Sequence, residues 1–165
     1  MHVEPQKEHQ WLQKLVGEWT YEHDCSMGPD KPPEKFRGTE TVRSLGGVWA
    51  VCEGRGQMPG GGAATTIMTL GYDPAKKRYV GTFIGSMMTH MWVYEGQLDA
   101  TGKVLTLDTE GPSWTPEGKV VEGKMAKYKD VIAFKSDDYR TLTSNLLGDD
   151  GKWQEFMTAH YRRKK

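Results

Sequence analysis

The sequence contains little cysteine and no long apolar run. Its 165 residues include two cysteines, Cys25 and Cys52, which have neither the spacing nor the partners of a zinc site. No stretch of 18 apolar residues is present, so no membrane-spanning helix is predicted. The polar N-terminus, MHVEPQKEHQ, lacks the apolar segment of a signal peptide. We therefore expect a cytoplasmic protein with free thiols, because disulfides belong to oxidising compartments.

The sequence also lacks an excess of charge of either sign. Its 22 basic residues equal its 22 acidic ones in number, whereas a nucleic-acid partner usually requires a net basic face. The short basic end at 162–165 is interpreted as a solvated tail. No G-x-S-x-G nucleophile motif occurs, and no Lys-Ser or Lys-Thr follows the glycine run at 60–62. These absences argue against a nucleic-acid partner, a serine hydrolase and a phosphate-binding loop.

Glycine and proline are plentiful instead, and they divide the chain into short segments. The sequence has 20 Gly and eight Pro, and segments rich in β-branched and aromatic residues lie between the turn residues. This pattern predicts ten strands, at 18–27, 36–45, 48–57, 65–72, 78–86, 90–98, 104–109, 124–134, 139–147 and 153–162.

One helix is predicted before the first strand, from Gln6 to Val16. Trp11 and Leu15 belong to an apolar face at helical spacing, Pro5 suits a first turn and Gly17 suits a stop. A helix of about three turns does not stand alone in water, so its apolar face must pack on another element.

The whole chain, 1–165, is expected to form one domain, because no linker and no repeat divides it. Ten sequential strands with hairpin-length connections favour an up-and-down antiparallel sheet. Closure into a β-barrel removes the two exposed edges of such a sheet and leaves room for an interior cavity. We therefore predict an all-β, antiparallel barrel of about ten strands, with the N-terminal helix as a plug at one end.

The stretch at 80–96, VGTFIGSMMTHMWVYEG, is the most unusual hairpin in the sequence. Its connection carries Met87 and Met88, whereas hairpin turns usually carry Gly, Asn, Asp or Pro. An apolar turn is covered by another element, lines the mouth of a cavity or sits in a subunit interface. Trp92 and Tyr94 follow on one face of the second strand, and apolar walls with a few hydrogen-bonding groups are typical of small-molecule sites.

Histidines and acidic residues within the predicted strands are the candidate polar groups of such a site. His90 and His160 are each a potential ligand or base, and the alternative for each is a structural or surface role without function in a site. Asp108 and Asp130 occur where strands disfavour Asp. An inward Asp would need a partner or a raised pKa. Asp130 is expected to face outward beside Lys127 or Lys129, and Asp108 is left open between the two faces.

Several segments carry a resemblance to known barrels. Gly17-Glu18-Trp19, which opens the first strand after a short helix, resembles the G-x-W signature of lipocalins and other calycins. In those barrels the Trp lies across the closed end under a basic residue of the last strand, a role that would fall to Arg162 or Arg163. The closing HYRR is similar to nitrobindin-like haem barrels, which would make His160 an iron ligand.

A longer resemblance covers nearly the whole chain. HQWLQKLVGEW, LGGVWAV, LGYDPAKKRYVGTFIGSMMTHMWVYEGQLD, LTLDTEGPS, KYKDV and DGKWQEFMTAHYRRK resemble the bacterial family called domain of unknown function 1579. This resemblance implies a lipocalin-like barrel. The family has no assigned activity, so no functional residue is transferred from it.

The leading functional prediction is binding of a small hydrophobic or amphipathic molecule in the barrel cavity. Wall and mouth are assigned to Met88, His90, Trp92 and Tyr94, and polar contacts to Asp108, Tyr128 and His160. No cofactor and no metal site are predicted. The alternatives are an enzyme that uses His90 or His160 with a carboxylate as an acid–base pair, a haem or metal carrier through His160, and a homodimer.

Overall fold

The structure, a computed structural model, describes residues 1–25, 30–58, 61–115 and 119–165. Three features of the sequence therefore fall outside the described residues: the predicted end of the first strand at Met27, the start of the glycine run at Gly60, and Pro116 in the connection between the strands predicted at 104–109 and 124–134. Among the described residues, no helix is both long and apolar enough to cross a membrane.

The chain folds into a closed antiparallel barrel of ten strands, as the sequence predicts. Each strand pairs with its neighbours in sequence, and the first strand closes the barrel by pairing with the last. The elements are α1 (Lys7–Leu12), a 3-10 turn (Gln13–Leu15), β1 (Gly17–Cys25), β2 (Glu34–Leu45), β3 (Trp49–Gln57), β4 (Ala63–Asp73), β5 (Arg78–Gly85), β6 (Trp92–Leu98), β7 (Val104–Trp114), β8 (Val120–Ser136), β9 (Tyr139–Leu147) and β10 (Trp153–Arg163).

Helix α1 covers one end of the barrel, which we call the closed end. The α-helix is shorter than the predicted 6–16, because the chain tightens into the 3-10 turn after Leu12. Leu12 and Leu15 are fully buried in the core, and the Trp11 indole N–H donates to the carbonyl of Gly102 at 2.6 Å. These contacts tie the helix to the β6–β7 turn and explain how so short a helix is stable.

Trp19 forms the floor of the barrel at this end. Its side chain is fully buried, and its indole N–H donates to the Leu15 carbonyl at 2.8 Å. Of the two predicted partners, Arg163 is the one that packs over the indole, at 4.2 Å from the ring centre, and it also donates to the Val16 carbonyl. Arg162 instead lies over Tyr139. The contact predicted from the G-x-W signature is therefore present.

Strands β7 and β8 extend well past their predicted bounds at the opposite end, which we call the open end. β7 continues past Thr109 to Trp114, and β8 begins at Val120 rather than at 124. The Gly111-Pro112 pair resembles a turn in the sequence, yet both residues lie within β7, and the register shifts just after Pro112. A proline without an amide hydrogen is tolerated next to such an irregularity. This extension brings Trp114 to the rim of the barrel.

Candidate functional site

Two neighbouring cavities lie in the barrel interior, between residues that the structure describes. The larger, about 360 Å³, lies between the inner faces of β4–β10 and is named the Asp130 cavity after its only charged lining residue among those described. Its wall is mostly aromatic and aliphatic and reaches the open end, where Trp114 and Phe156 remain 41% and 59% exposed. The described residues that line it are Met68, Phe83, Met88, Trp92, Tyr94, Thr109, Trp114, Tyr128, Asp130, Leu142, Ser144, Phe156 and Met157.

The smaller cavity, about 270 Å³, lies toward β1–β4 and is named the Arg140 cavity. Glu40, Arg140, Tyr161 and Cys52 contribute to its lining. Burial raises the pKa of the Cys52 thiol, so this sulfur is kept in its neutral, unreactive form. Four apolar residues line both cavities and stand between them: Met68, Phe83, Leu142 and Met157.

Asp130 is the centre of the polar part of the larger cavity. It accepts a hydrogen bond from the Tyr94 hydroxyl at Oδ2, and one from the Ser144 hydroxyl at Oδ1, 2.7 Å away. Burial raises the pKa of Asp130, and the two hydroxyl donors oppose this shift because they favour the charged form. Burial and the neighbouring carboxylate likewise raise the pKa of Tyr94, which therefore remains a donor.

Trp92 and Tyr128 form the aromatic wall next to this carboxyl group. Their rings meet edge to face at 4.9 Å and 83°, and the Tyr128 hydroxyl donates to the Pro112 carbonyl at 2.6 Å. The Trp92 ring lies directly over Gly111, where any side chain would overlap it. Gly111 therefore matters for its lack of a side chain, because only glycine lets the indole lie flat against β7.

A β-bulge in β10 completes the wall. The pairing of β10 with β9 shifts between Glu155 and Met157, and this places two consecutive residues, Phe156 and Met157, on the cavity side. In a regular strand consecutive residues face opposite sides, so the bulge is what adds Phe156 to the cavity. The Phe156 ring packs edge to face on Tyr128 at 6.2 Å.

The family comparison supports the resemblance seen in the sequence. The family model described as "Protein of unknown function (DUF1579)" matches residues 4–163. The chain belongs to the DUF1579 family. No curated protein matches it.

Solved structures resemble this DUF1579 protein in fold. Rv2717c from M. tuberculosis is 12% identical with a TM-score of 0.63, and the alignment covers 98% of this chain and 100% of that one. The S-type phycobiliprotein lyase CPES from Guillardia theta is 14% identical with a TM-score of 0.57, and the alignment covers 98% and 99%. Identities this low show a shared fold and no more.

Four of the seven predicted site residues line the Asp130 cavity of the DUF1579 barrel: Met88, Trp92, Tyr94 and Tyr128. Met88 comes from the apolar connection between β5 and β6, and its sulfur accepts a hydrogen bond from the Trp92 indole N–H at 3.2 Å. Met87, the other methionine of that connection, lines the Arg140 cavity. Three possibilities were given above for an apolar turn. The structure places this turn at the mouths of the two cavities.

His90 lies behind the cavity wall rather than in it. Its ring packs edge to face on Trp92 at 4.8 Å, and its Nε2 is 3.2 Å from the Glu110 carbonyl oxygen. His90 therefore contacts the back of the Trp92 ring and does not line the cavity. The strand predicted to begin at His90 begins instead at Trp92, as β6, so His90 lies just before the strand.

Asp108 and His160 lie on the outer face of the barrel. Asp108 is exposed on β7, 4.0 Å from the Lys129 ammonium, while its neighbours in sequence face inward. His160 binds the Tyr139 hydroxyl through Nδ1 at 2.7 Å on the outside of β10. Neither side chain lines the Asp130 cavity.

These placements concern two of the alternatives predicted from the sequence. One is the acid–base pair of an enzyme, and the other is the iron ligand of a haem barrel. His90 and His160 both lie outside the two cavities, so neither histidine lines the space in which an interior ligand would be bound. Among the described residues, no group of three or more His, Cys, Asp or Glu side chains is arranged to hold a metal ion.

The outward orientation expected for Asp130 is wrong. Strand alternation puts Tyr128, Asp130 and Ile132 on one face, and Tyr128 and Ile132 are buried inside the barrel. The signal was therefore present in the sequence, because a Tyr128 placed in the cavity requires an Asp130 that also faces inward. Ser144 and Phe156 were missed for other reasons: serine in a strand is unremarkable, and a bulge has no clear sequence mark.

Proposed function

We propose that this DUF1579 protein binds a small, largely apolar molecule in the Asp130 cavity. The observation that supports this proposal is the cavity itself, which has a volume of about 360 Å³, an aromatic and aliphatic wall, and one polar cluster. Apolar walls with few convergent polar groups are typical of small-molecule sites. The likeness to other barrels adds only the fold to this argument.

Met88 gives the most direct test, since it lines the cavity near the mouth. In the variant Met88→Asp a ligand would have to desolvate a carboxylate on entry, which is unfavourable. The probe is N-phenyl-1-naphthylamine, a neutral dye that becomes fluorescent in apolar surroundings. We expect Met88→Asp to weaken dye binding by at least about tenfold, which corresponds to about 1.4 kcal/mol.

Met91→Asp is the matched control, because Met91 is three positions away and 54% exposed on the outer face. The same charge there meets water, so dye affinity should stay within about twofold of the parent value. Circular dichroism and urea unfolding establish that both variants are folded. Equal loss of binding in the two variants, or no loss in either, would contradict the cavity as the site.

Self-association is the second candidate, and a group of exposed apolar side chains favours it. Met91, Val93 and Met125 are each more than half exposed, and Trp153 is 41% exposed, on the outside of the barrel. Exposed apolar clusters are common at protein interfaces. Sedimentation of the parent and of Met91→Asp tests this candidate: a dimer that the charge dissociates would support a homodimer, and a monomer in both cases would exclude it.

A further inference from the structure

Asp130 is the single charged side chain among the described residues that line the Asp130 cavity. It lies inside the barrel but keeps some accessible surface, because it faces the cavity. The carboxyl group is therefore within reach of a bound molecule. A charged group at the inner wall of an otherwise apolar cavity determines which ligands the cavity accepts, since any ligand must satisfy it or leave it unpaired.

The protein does not supply a cation for this carboxylate. Its hydrogen-bond donors are two neutral hydroxyls, and among the described residues no Lys, Arg or His forms an ion pair with it. Lys129 faces outward toward Asp108, and Arg140 is paired with Glu40. The residues outside the described part, 26–29, 59–60 and 116–118, include no basic residue. Each carboxylate oxygen also has a second acceptor position beyond the hydroxyl that it binds.

The surroundings of Asp130 suit a cation with an apolar body. Trp92 and Tyr128 line the same cavity, and the faces of such rings attract ammonium groups. Methionines at 68, 88 and 157 complete the wall with flexible, polarizable side chains that adapt to an aliphatic or aromatic ligand. A ring-lined cavity with one carboxylate is complementary to an amine and repels an anion.

We infer that the ligand of the Asp130 cavity is an amphipathic amine, whose protonated nitrogen binds the Asp130 carboxylate beside the Trp92 and Tyr128 rings while its apolar part fills the cavity. The inference rests on the proposed function and narrows it to one chemical class. Its competitor is a neutral ligand whose carbonyl accepts a hydrogen bond from a protonated Asp130, and the experiment below separates the two.

The experiment compares head groups on one apolar chain. Bound N-phenyl-1-naphthylamine is displaced at pH 8 by decylamine, decan-1-ol, decan-2-one or decanoate. We expect decylamine to displace the dye at about tenfold lower concentration than the alcohol or the ketone, because a charge-assisted hydrogen bond exceeds a neutral one by about that factor. Decanoate should be the weakest. Equal or tighter binding of the ketone or the alcohol would overturn the inference.

Asp130→Asn keeps the shape of the side chain and removes its charge. Within this variant the preference for decylamine over decan-1-ol should fall to about threefold or less, and the ratio is independent of any change in dye affinity. Asp108→Asn is the matched control on the outer face, and it should retain the parent preference. A preference that survives Asp130→Asn would show that another group selects the amine, and would overturn the assignment.

Proton release on decylamine binding gives a second test of the inference, and this test needs no substituted protein. Burial favours the protonated form of Asp130, so binding of an ammonium group should ionise the carboxyl group and release a proton. Tyr94, Tyr128 and Tyr161 are the other titratable groups near this cluster, and their raised pKa values keep them neutral at pH 4–8. Decylamine affinity should therefore increase from pH 4 to pH 8.

Calorimetry of decylamine in buffers of different ionisation enthalpy measures this proton directly. Dye binding without an amine preference would refute the inference and leave the proposed function standing. If neither the dye nor decylamine binds, both fail.

Discussion

Arg140 and Asp130 lie inside the same barrel, ten positions apart in sequence and on neighbouring strands, and their surroundings differ. Arg140 is 3% exposed, and its guanidinium donates to the Glu40 carboxylate. It also lies between two rings, 4.5 Å from the centre of Trp19 and 4.1 Å from that of Tyr161. Asp130 has two hydroxyl donors and no opposite charge among the described residues.

This difference separates a buried charge that the fold compensates from one that we propose is kept for a ligand. The charge of Arg140 is compensated within the fold, by a carboxylate and by aromatic faces at the closed end. The charge of Asp130 is compensated only in part, and it faces a cavity that reaches the open end. A protein gives up stability where it keeps a group available for a ligand, so the two clusters should respond to substitution in opposite directions.

The largest loss of unfolding free energy is expected when the Trp19 ring, which packs against Arg140, is removed. Trp19→Ala should lower the free energy of unfolding by about 4–5 kcal/mol, near the top of the range for large aromatic core residues, because both Arg140 and Arg163 stack on this indole. Urea unfolding measures it. The matched control is Trp153→Ala, because Trp153 is exposed on the outer face, and its loss should stay below about 1 kcal/mol. Similar losses in the two variants would remove Trp19 from the core.

The next effect concerns the buried pair itself. Arg140→Met should cost about 3–4 kcal/mol of unfolding free energy, because Glu40 is left charged, 11% exposed at its side chain, and without its partner. The double variant with Glu40→Met should recover most of this loss, since replacing both charges by apolar groups is often neutral. A double variant as unstable as Arg140→Met would mean that packing, and not the ion pair, dominates at the closed end.

A smaller change in the free energy of unfolding, of opposite sign, is expected from substitution of Asp130. Burial raises the pKa of Asp130 in the folded state above its unfolded value, so the native state binds the proton more tightly. The resulting stabilisation is present below the unfolded pKa and is lost as pH increases through the folded one. Asp130→Asn should therefore be more stable than the parent at pH 8, by an amount of the order of 1 kcal/mol.

This gain should disappear toward pH 4, where the parent carboxyl group is protonated in the folded protein. Urea unfolding of both proteins across pH 4–8 measures the difference. A variant that is less stable than the parent at pH 8 would mean that the hydroxyl donors satisfy the charge fully, and the comparison with Arg140 would then fail.

The sequence predicts the strands and the closed end because both depend on local pattern. Alternating β-branched and aromatic segments with turn residues between them mark all ten strands, and Gly17-x-Trp19 after a short helix marks the floor with Arg163 over it. These features follow from residue type and order, without knowledge of which strands face each other across the barrel.

The interior is less predictable because it depends on contacts between distant strands. Asp130 lies in the cavity through the orientation of β8, and its donors Tyr94 and Ser144 come from β6 and β9. Phe156 enters through a bulge, and no residue type signals that shift of register. Alternation alone gives two faces of each strand, and one fixed inward residue per strand, such as Tyr128, would have been enough to choose between them.

The smallest effect tests whether the face of the strand, and not the residue type, determines the behaviour of an aspartate. Asp108→Asn makes the same chemical change as Asp130→Asn, on the neighbouring strand but on the outside, where the carboxylate is 62% exposed and 4.0 Å from the Lys129 ammonium. Exposed ion pairs contribute about 0–1 kcal/mol, so unfolding free energy should change by less than about 0.5 kcal/mol from pH 5 to pH 8. A pH-dependent gain like that expected for Asp130→Asn would show that both carboxylates are strained by general charge repulsion, and the cavity would lose its special role.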